Sequence, residues 1–250
     1  EKIPDDMQLQ DWGITWEEIE PYYDEFEYIA GISGDAGNIE GEIQDGGNPY
    51  EGPRSRDFPL PSMMTSPAME TIMEGAEEAG YEPFVGYSAN LSEPYENPDG
   101  VFLGQCEYCG YCERFGCEWG AKSAPTVTVL PAALETGNYE IRTHSNVVEL
   151  IYDEYEQEVT GVKYVDSRAN QVYIQPADAV ALTAYALNNV RLLLLSEIGE
   201  PYDPETGEGV VGKNYCYQNM GGNARGFWAV SYTHLRAHET GRNLVCRLLL

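Results

Sequence analysis

Cys106-Glu-Tyr-Cys109-Gly-Tyr-Cys112-Glu-Arg-Phe-Gly-Cys117 gathers four of the six cysteines of this chain into twelve residues. Thiolates are ligands for soft metals and carriers of redox chemistry. A Cys-x2-Cys-x2-Cys run resembles an iron–sulfur ligand set. Here the fourth cysteine, Cys117, follows after four residues and precedes Glu118 rather than proline. The same spacing also admits zinc, a disulfide, or packing thiols that bind nothing. On spacing alone, the run could mark a small ferredoxin-like or zinc module. Cys216 is distant in sequence and reads as a buried thiol.

Few other side chains compete for chemistry. His144 stands alone between predicted strands, where a histidine is more often a satisfied structural residue than a base. No G-x-G-x-x-G occurs, so the phosphate-binding turn of a dinucleotide fold is absent from the chain.

Charge narrows the partners. With 14 Lys and Arg against 42 Asp and Glu, the net charge is -28. Phosphate binding needs clustered cations, so nucleic acid is excluded, and docking on anionic lipid is disfavoured. Lysine occurs only at Lys2, Lys122, Lys163 and Lys213. Strong acid excess with little lysine suits a protein kept soluble in concentrated salt, where self-repulsion is screened. A 42% hydrophobic, 12% aromatic composition gives enough apolar surface for a packed core. No apolar run reaches the length of a membrane span.

Residues 230–250 break the pattern. They hold His234, His238, Arg236, Arg242 and Arg247 against one acid, Glu239. Val230-Ser-Tyr-Thr-His-Leu-Arg-Ala-His-Glu-Thr240 looks like a translated sequencing adapter, and the segment is set aside as non-native. The chain begins at Glu1 without Met and reads as an internal piece of a longer protein.

The elements that must position the cysteines follow from pattern. Thr15-Trp16-Glu17-Glu18 is a capping box opening a short helix that Pro21 restarts. Tyr22, Tyr23, Phe26 and Ile29 recur at roughly helical spacing and read as a core stripe. Residues 31–61, rich in Gly, Pro and Asn, predict a long irregular loop of the kind that forms lids. Ser66-Pro67 starts a second helix that Gly80 ends. Residues 126–134 read as helix. Residues 139–142, 147–152, 159–166 and 171–175 read as an antiparallel meander. Residues 179–184 read as a strand covered on both faces, joined tightly to a helix over 188–196. Strand followed at once by helix is the βα unit of a nucleotide-binding α/β domain.

Gly120-Ala121-Lys122-Ser123-Ala-Pro-Thr, Leu130-Pro131 before a helix, Asn138–Leu150, and Ala184-Tyr185 through Ile198-Gly199 together resemble the glucose–methanol–choline (GMC) oxidoreductase family. Asp11-Trp12-Gly13, Gly52-Pro53-Arg54-Ser55-Arg56, the cysteine run and Val211-Gly212-Lys213-Asn214-Tyr215 fit the same resemblance, which covers nearly all of residues 8–219. It implies an α/β fold, part of a Rossmann-like FAD-binding domain with part of a substrate domain. Residues 1–105 would supply substrate-domain and lid segments, 106–137 the cysteine cluster and a connecting helix, and 138–229 the return into the FAD-binding domain. It implies FAD contacts at Val147, Ala184, Tyr185 and Asn214. It implies oxidation of a sugar or sugar-acid CH–OH group, and an iron–sulfur cluster on Cys106, Cys109, Cys112 and Cys117 relaying electrons to a cytochrome c subunit. A small subunit, and membrane association through partners or export, also follow from the resemblance. An alcohol or sterol oxidase is the alternative on the same fold. The catalytic His of the family falls beyond residue 229, so no catalytic residue is assigned here. Three positions depart from the family signature: Tyr185 and Glu197 stand where glycine is usual, and Asn189-Val190 where Ser-Pro is usual.

Overall fold

The structure, a computed structural model, describes residues 12–112 and 114–215. Helices and antiparallel sheets alternate along it. It divides between Ile141 and Arg142 into two compact units.

In the first unit, helix α1 (Trp16–Ala30) opens on the capping box and closes on Gly31 in the left-handed conformation. Thr15 accepts from the Glu18 amide, and the Glu18 carboxylate accepts from the Thr15 amide. Pro21 lies inside one continuous helix rather than restarting it. Proline removes a single helical hydrogen bond there, and the capping box offsets part of that loss. The aromatic stripe is not core: Tyr22, Tyr23 and Phe26 are exposed. What docks α1 is its carboxylate face. Glu20, Asp24 and Glu27 recur at helical spacing and meet Ser55, Arg56 and Arg54 in turn. Arg54 is buried and stacks on Phe58 3.8 Å from its ring centre, while Arg56 lies 3.4 Å above Tyr28.

Residues 31–61 lack long elements, as expected, but they are pinned. Strands β1 (Asn38–Ile39) and β2 (Glu42–Ile43) form a tight hairpin through Glu40 and Gly41, both at positive φ. Ser33 bridges to Leu60 on one side and Ser88 on the other. Gly37 and Gly47 let two backbone passes touch, since a Cβ on either would overlap the other pass. Helix α2 (Pro67–Glu78) has Ser66 as its cap, and Gly80 follows at positive φ. Strands β3 (Tyr95–Glu96) and β4 (Phe102–Leu103) pair, and helix α3 (Val129–Glu135) is shorter than predicted, its first turn being irregular. Leu60, Leu91 and Leu103 form the core, with Tyr95, Val101 and Val127 against them.

The second unit is a three-stranded meander: β5 (Ser145–Asp153), β6 (Glu158–Asp166) and β7 (Gln171–Pro176), in the order β5-β6-β7. Asp153 and Asp166 each accept two backbone amides and so shape the two turns. Across the strands Glu149 pairs with Lys163, and Tyr164 stacks on Tyr173 at 5.5 Å. Residues 139–142 join no sheet. Residues 179–184 likewise join no ladder among the described residues, although β5 and β7 each keep an open edge. Helix α4 (Ala186–Leu195) follows them. It is fixed to β5 by Ser196, whose Oγ accepts from the Leu150 amide at 2.8 Å and donates to the Leu192 carbonyl.

Candidate functional site

The cysteine loop grows out of the first unit's core. Leu91, 0% exposed, receives the Cys106 amide on its carbonyl and donates its own amide to the Ala121 carbonyl, both at 2.9 Å. At the same neck, a Cβ on Gly104 would overlap the Trp119 carbonyl oxygen, so only glycine lets the two ends of the loop close. The loop therefore leaves and re-enters at one point, an anchored excursion on a packed base. Nothing in the sequence around Gly104 marks this close approach, which only the fold creates.

All four thiols are free, Cys109 being the exposed one. Cys109, Cys112 and Cys117 line an open hollow of about 480 Å³ with Tyr111, Phe115 and Trp119. Cys106 is not among its walls; its sulfur accepts the Tyr108 amide at 3.4 Å. Among the described residues no three His, Cys, Asp or Glu side chains converge closely enough to hold a metal ion. The expected iron–sulfur set on Cys106, Cys109, Cys112 and Cys117 thus finds no support among the described residues. Cys117 differs from the rest. Burial pushes its thiol up, but the backbone amides of Ala121, Trp119, Lys122 and Gly120 more than offset this and hold it below the ordinary value. Lys122 reaches back along the loop to the Cys112 carbonyl at 2.6 Å.

Val147, Ala184, Tyr185 and Asn214 all fall in the second unit. Val147 lies on β5, an edge strand with a register shift between Val147 and Glu149. An edge strand leaves alternate amides and carbonyls outside the ladder. Tyr185 stands at the start of α4 with φ 75 and ψ 146. Asn214 is at φ 57. The Tyr185 hydroxyl meets that of Tyr215 at 3.2 Å, linking the approach to α4 with the Asn214 segment. Tyr215 is pushed above the ordinary tyrosine value, first by this hydrogen bond and then by burial and the neighbouring phenol. Sequence marks Tyr215 only as the last residue of the 211–215 segment, because nothing local marks a partner thirty residues away. Backbone groups, carboxamides and phenols are all neutral donors and acceptors.

A family described as GMC oxidoreductase matches residues 10–220. The chain is 41% identical over 221 residues to the Gluconate 2-dehydrogenase flavoprotein of Pantoea cypripedii, covering 87% of this chain and 36% of that protein. It is 28% identical over 249 residues to the 2-methyl-1,2-propanediol dehydrogenase of Mycolicibacterium austroafricanum, covering 94% of this chain and 42% of that one. The chain thus spans well under half the length of either relative.

Proposed function

The chain belongs to the GMC oxidoreductase family, and on that premise we propose that it is part of an FAD-dependent dehydrogenase acting on a CH–OH group of a sugar or sugar acid. Gluconate is the first candidate substrate. The identity shared with the Pantoea flavoprotein across most of the chain carries this reading. A flavin, when bound, supplies a hydride acceptor for the carbinol carbon. The backbone at Val147 would hold its adenine end, and Ala184, Tyr185 and Asn214 would line its approach. Residues 1–105 would serve the substrate side, 106–137 would carry the cysteine loop, and 138–229 would return into a Rossmann-like FAD-binding domain.

Electrons would leave to a cytochrome-type partner, with a small subunit and membrane association through these partners. No helix of the described residues is long and apolar enough to cross a membrane. No electron step is assigned to the cysteines. The net charge of -28 extends the proposal to a salt-rich milieu. The test is the complete protein, purified and extracted for flavin. Bound FAD and dye reduction with gluconate support the reading. A colourless protein carrying metal on the cysteine loop would favour a ferredoxin-like or zinc module, and hydrogen peroxide formation at the rate of substrate oxidation would favour an oxidase.

A further inference from the structure

Two of the three departures from the family signature meet at one place. The conformation of Tyr185, φ 75 with ψ 146, belongs to a region that residues with a Cβ rarely adopt. Glycine is usual at this position, and the backbone here keeps the glycine shape while carrying a tyrosine. Such strain persists only where the surroundings enforce it. They do. The Asn189 side chain, standing where serine is usual, accepts from the Ala184 amide at 2.9 Å and donates to the Leu182 carbonyl at 3.0 Å. The Asn189 amide donates to the Tyr185 carbonyl at 2.9 Å. One serine hydroxyl spans both side-chain contacts less well than a carboxamide, which carries donor and acceptor on separate atoms. Beyond the backbone, the Tyr185 hydroxyl is fixed on Tyr215, next to Asn214. Both rings are about half exposed, so burial does not explain the arrangement.

We infer that Tyr185 and Tyr215 form a phenol clasp that positions the flavin-binding segments at α4 and Asn214, and that the strained backbone of Tyr185, braced by Asn189, is retained to make it. The inference rests on the flavoenzyme reading above. Tyr185 and Tyr215 act as positioning residues; no bond is made or broken by them.

The test uses the complete flavoprotein. Tyr185→Phe and Tyr215→Phe each weaken FAD binding about tenfold, the scale of one hydrogen bond. The double variant is no weaker than either single one, since both remove the same contact. Stripped of FAD, the Phe variants melt near the FAD-free parent, as for exposed positions generally. Separately, Tyr185→Gly melts about 2–4 °C above Tyr185→Ala, because both lack the phenol and only alanine keeps the strained Cβ. FAD affinity unchanged in both Phe variants overturns the clasp while leaving the flavoenzyme reading intact. A glycine variant melting at or below the alanine variant overturns the strain. A parent protein that binds no FAD overturns the family-based reading, and the clasp with it.

Discussion

Cys117 is the thiol on which the loop's backbone converges, whereas Cys106 is tied to the Tyr108 amide and Cys109 stands in solvent. Thiolate, not thiol, reacts with alkylating reagents. Limited alkylation followed by mass spectrometry is therefore expected to label Cys109 and Cys117 before Cys106. Iron bound in stoichiometric amount, with all four thiols protected, would contradict the free-thiol loop. The turn carboxylates give a second expectation. Asp166 lies below its ordinary value of 3.8 because the Ala169 and Arg168 amides bind its charged form, and Asp203 does so through Glu205 and Thr206. A depressed carboxylate contributes stability above its unfolded value and loses it as pH falls through the folded one. Lowering the pH below about 4 should thus loosen the β6–β7 turn, and Asp166→Asn should flatten that acid limb in amide-exchange measurements. Of the residues singled out by sequence, Tyr185 was legible as a departure from a pattern, but its strain and its partner Tyr215 were not. Backbone dihedrals and long-range hydroxyl pairs leave no trace in local spacing.

At the scale of elements, the start of α1 and both ends of α2 were legible because caps are local: Thr15 with Glu18, Ser66 with Pro67, and Gly80. The meander was legible from its turns and alternation. The face of α1 was misread, since helical spacing of aromatics suggested burial while the carboxylates at Glu20, Asp24 and Glu27 make the contact. Periodicity identifies a stripe but not its partner. Residues 179–184 read as a strand yet join no ladder among the described residues, because a short apolar run fixes neither its element type nor its partner. Breaking the Glu27–Arg54 pair leaves a buried guanidinium without its counter-charge, so Glu27→Gln is expected to cost about 3 kcal/mol in a denaturant melt. Asp24→Asn, whose partner Arg56 is half exposed, should cost under about 1 kcal/mol. Leu91→Ala removes a fully buried side chain at the neck of the cysteine loop and is expected to cost about 3 kcal/mol, with faster proteolysis within residues 105–119.

At the scale of the whole molecule, charge and cofactor dominate. A net charge of -28 is self-repelling at low ionic strength. Tm is expected to rise between about 0.1 M and molar salt, where the Debye length falls from about 10 to about 3 Å. A flat or falling Tm would remove the salt-rich milieu from the account. The chemistry itself rests on the family membership of residues 10–220. Its most direct measurement is the flavin absorbance of the complete protein under anaerobic conditions, before and after addition of gluconate. Bleaching of the oxidised flavin band by gluconate, with one flavin reduced per chain, is the predicted result. A protein that holds no flavin, or whose flavin stays oxidised with gluconate and with every other sugar or sugar acid, would contradict the assignment as a sugar-acid flavin dehydrogenase.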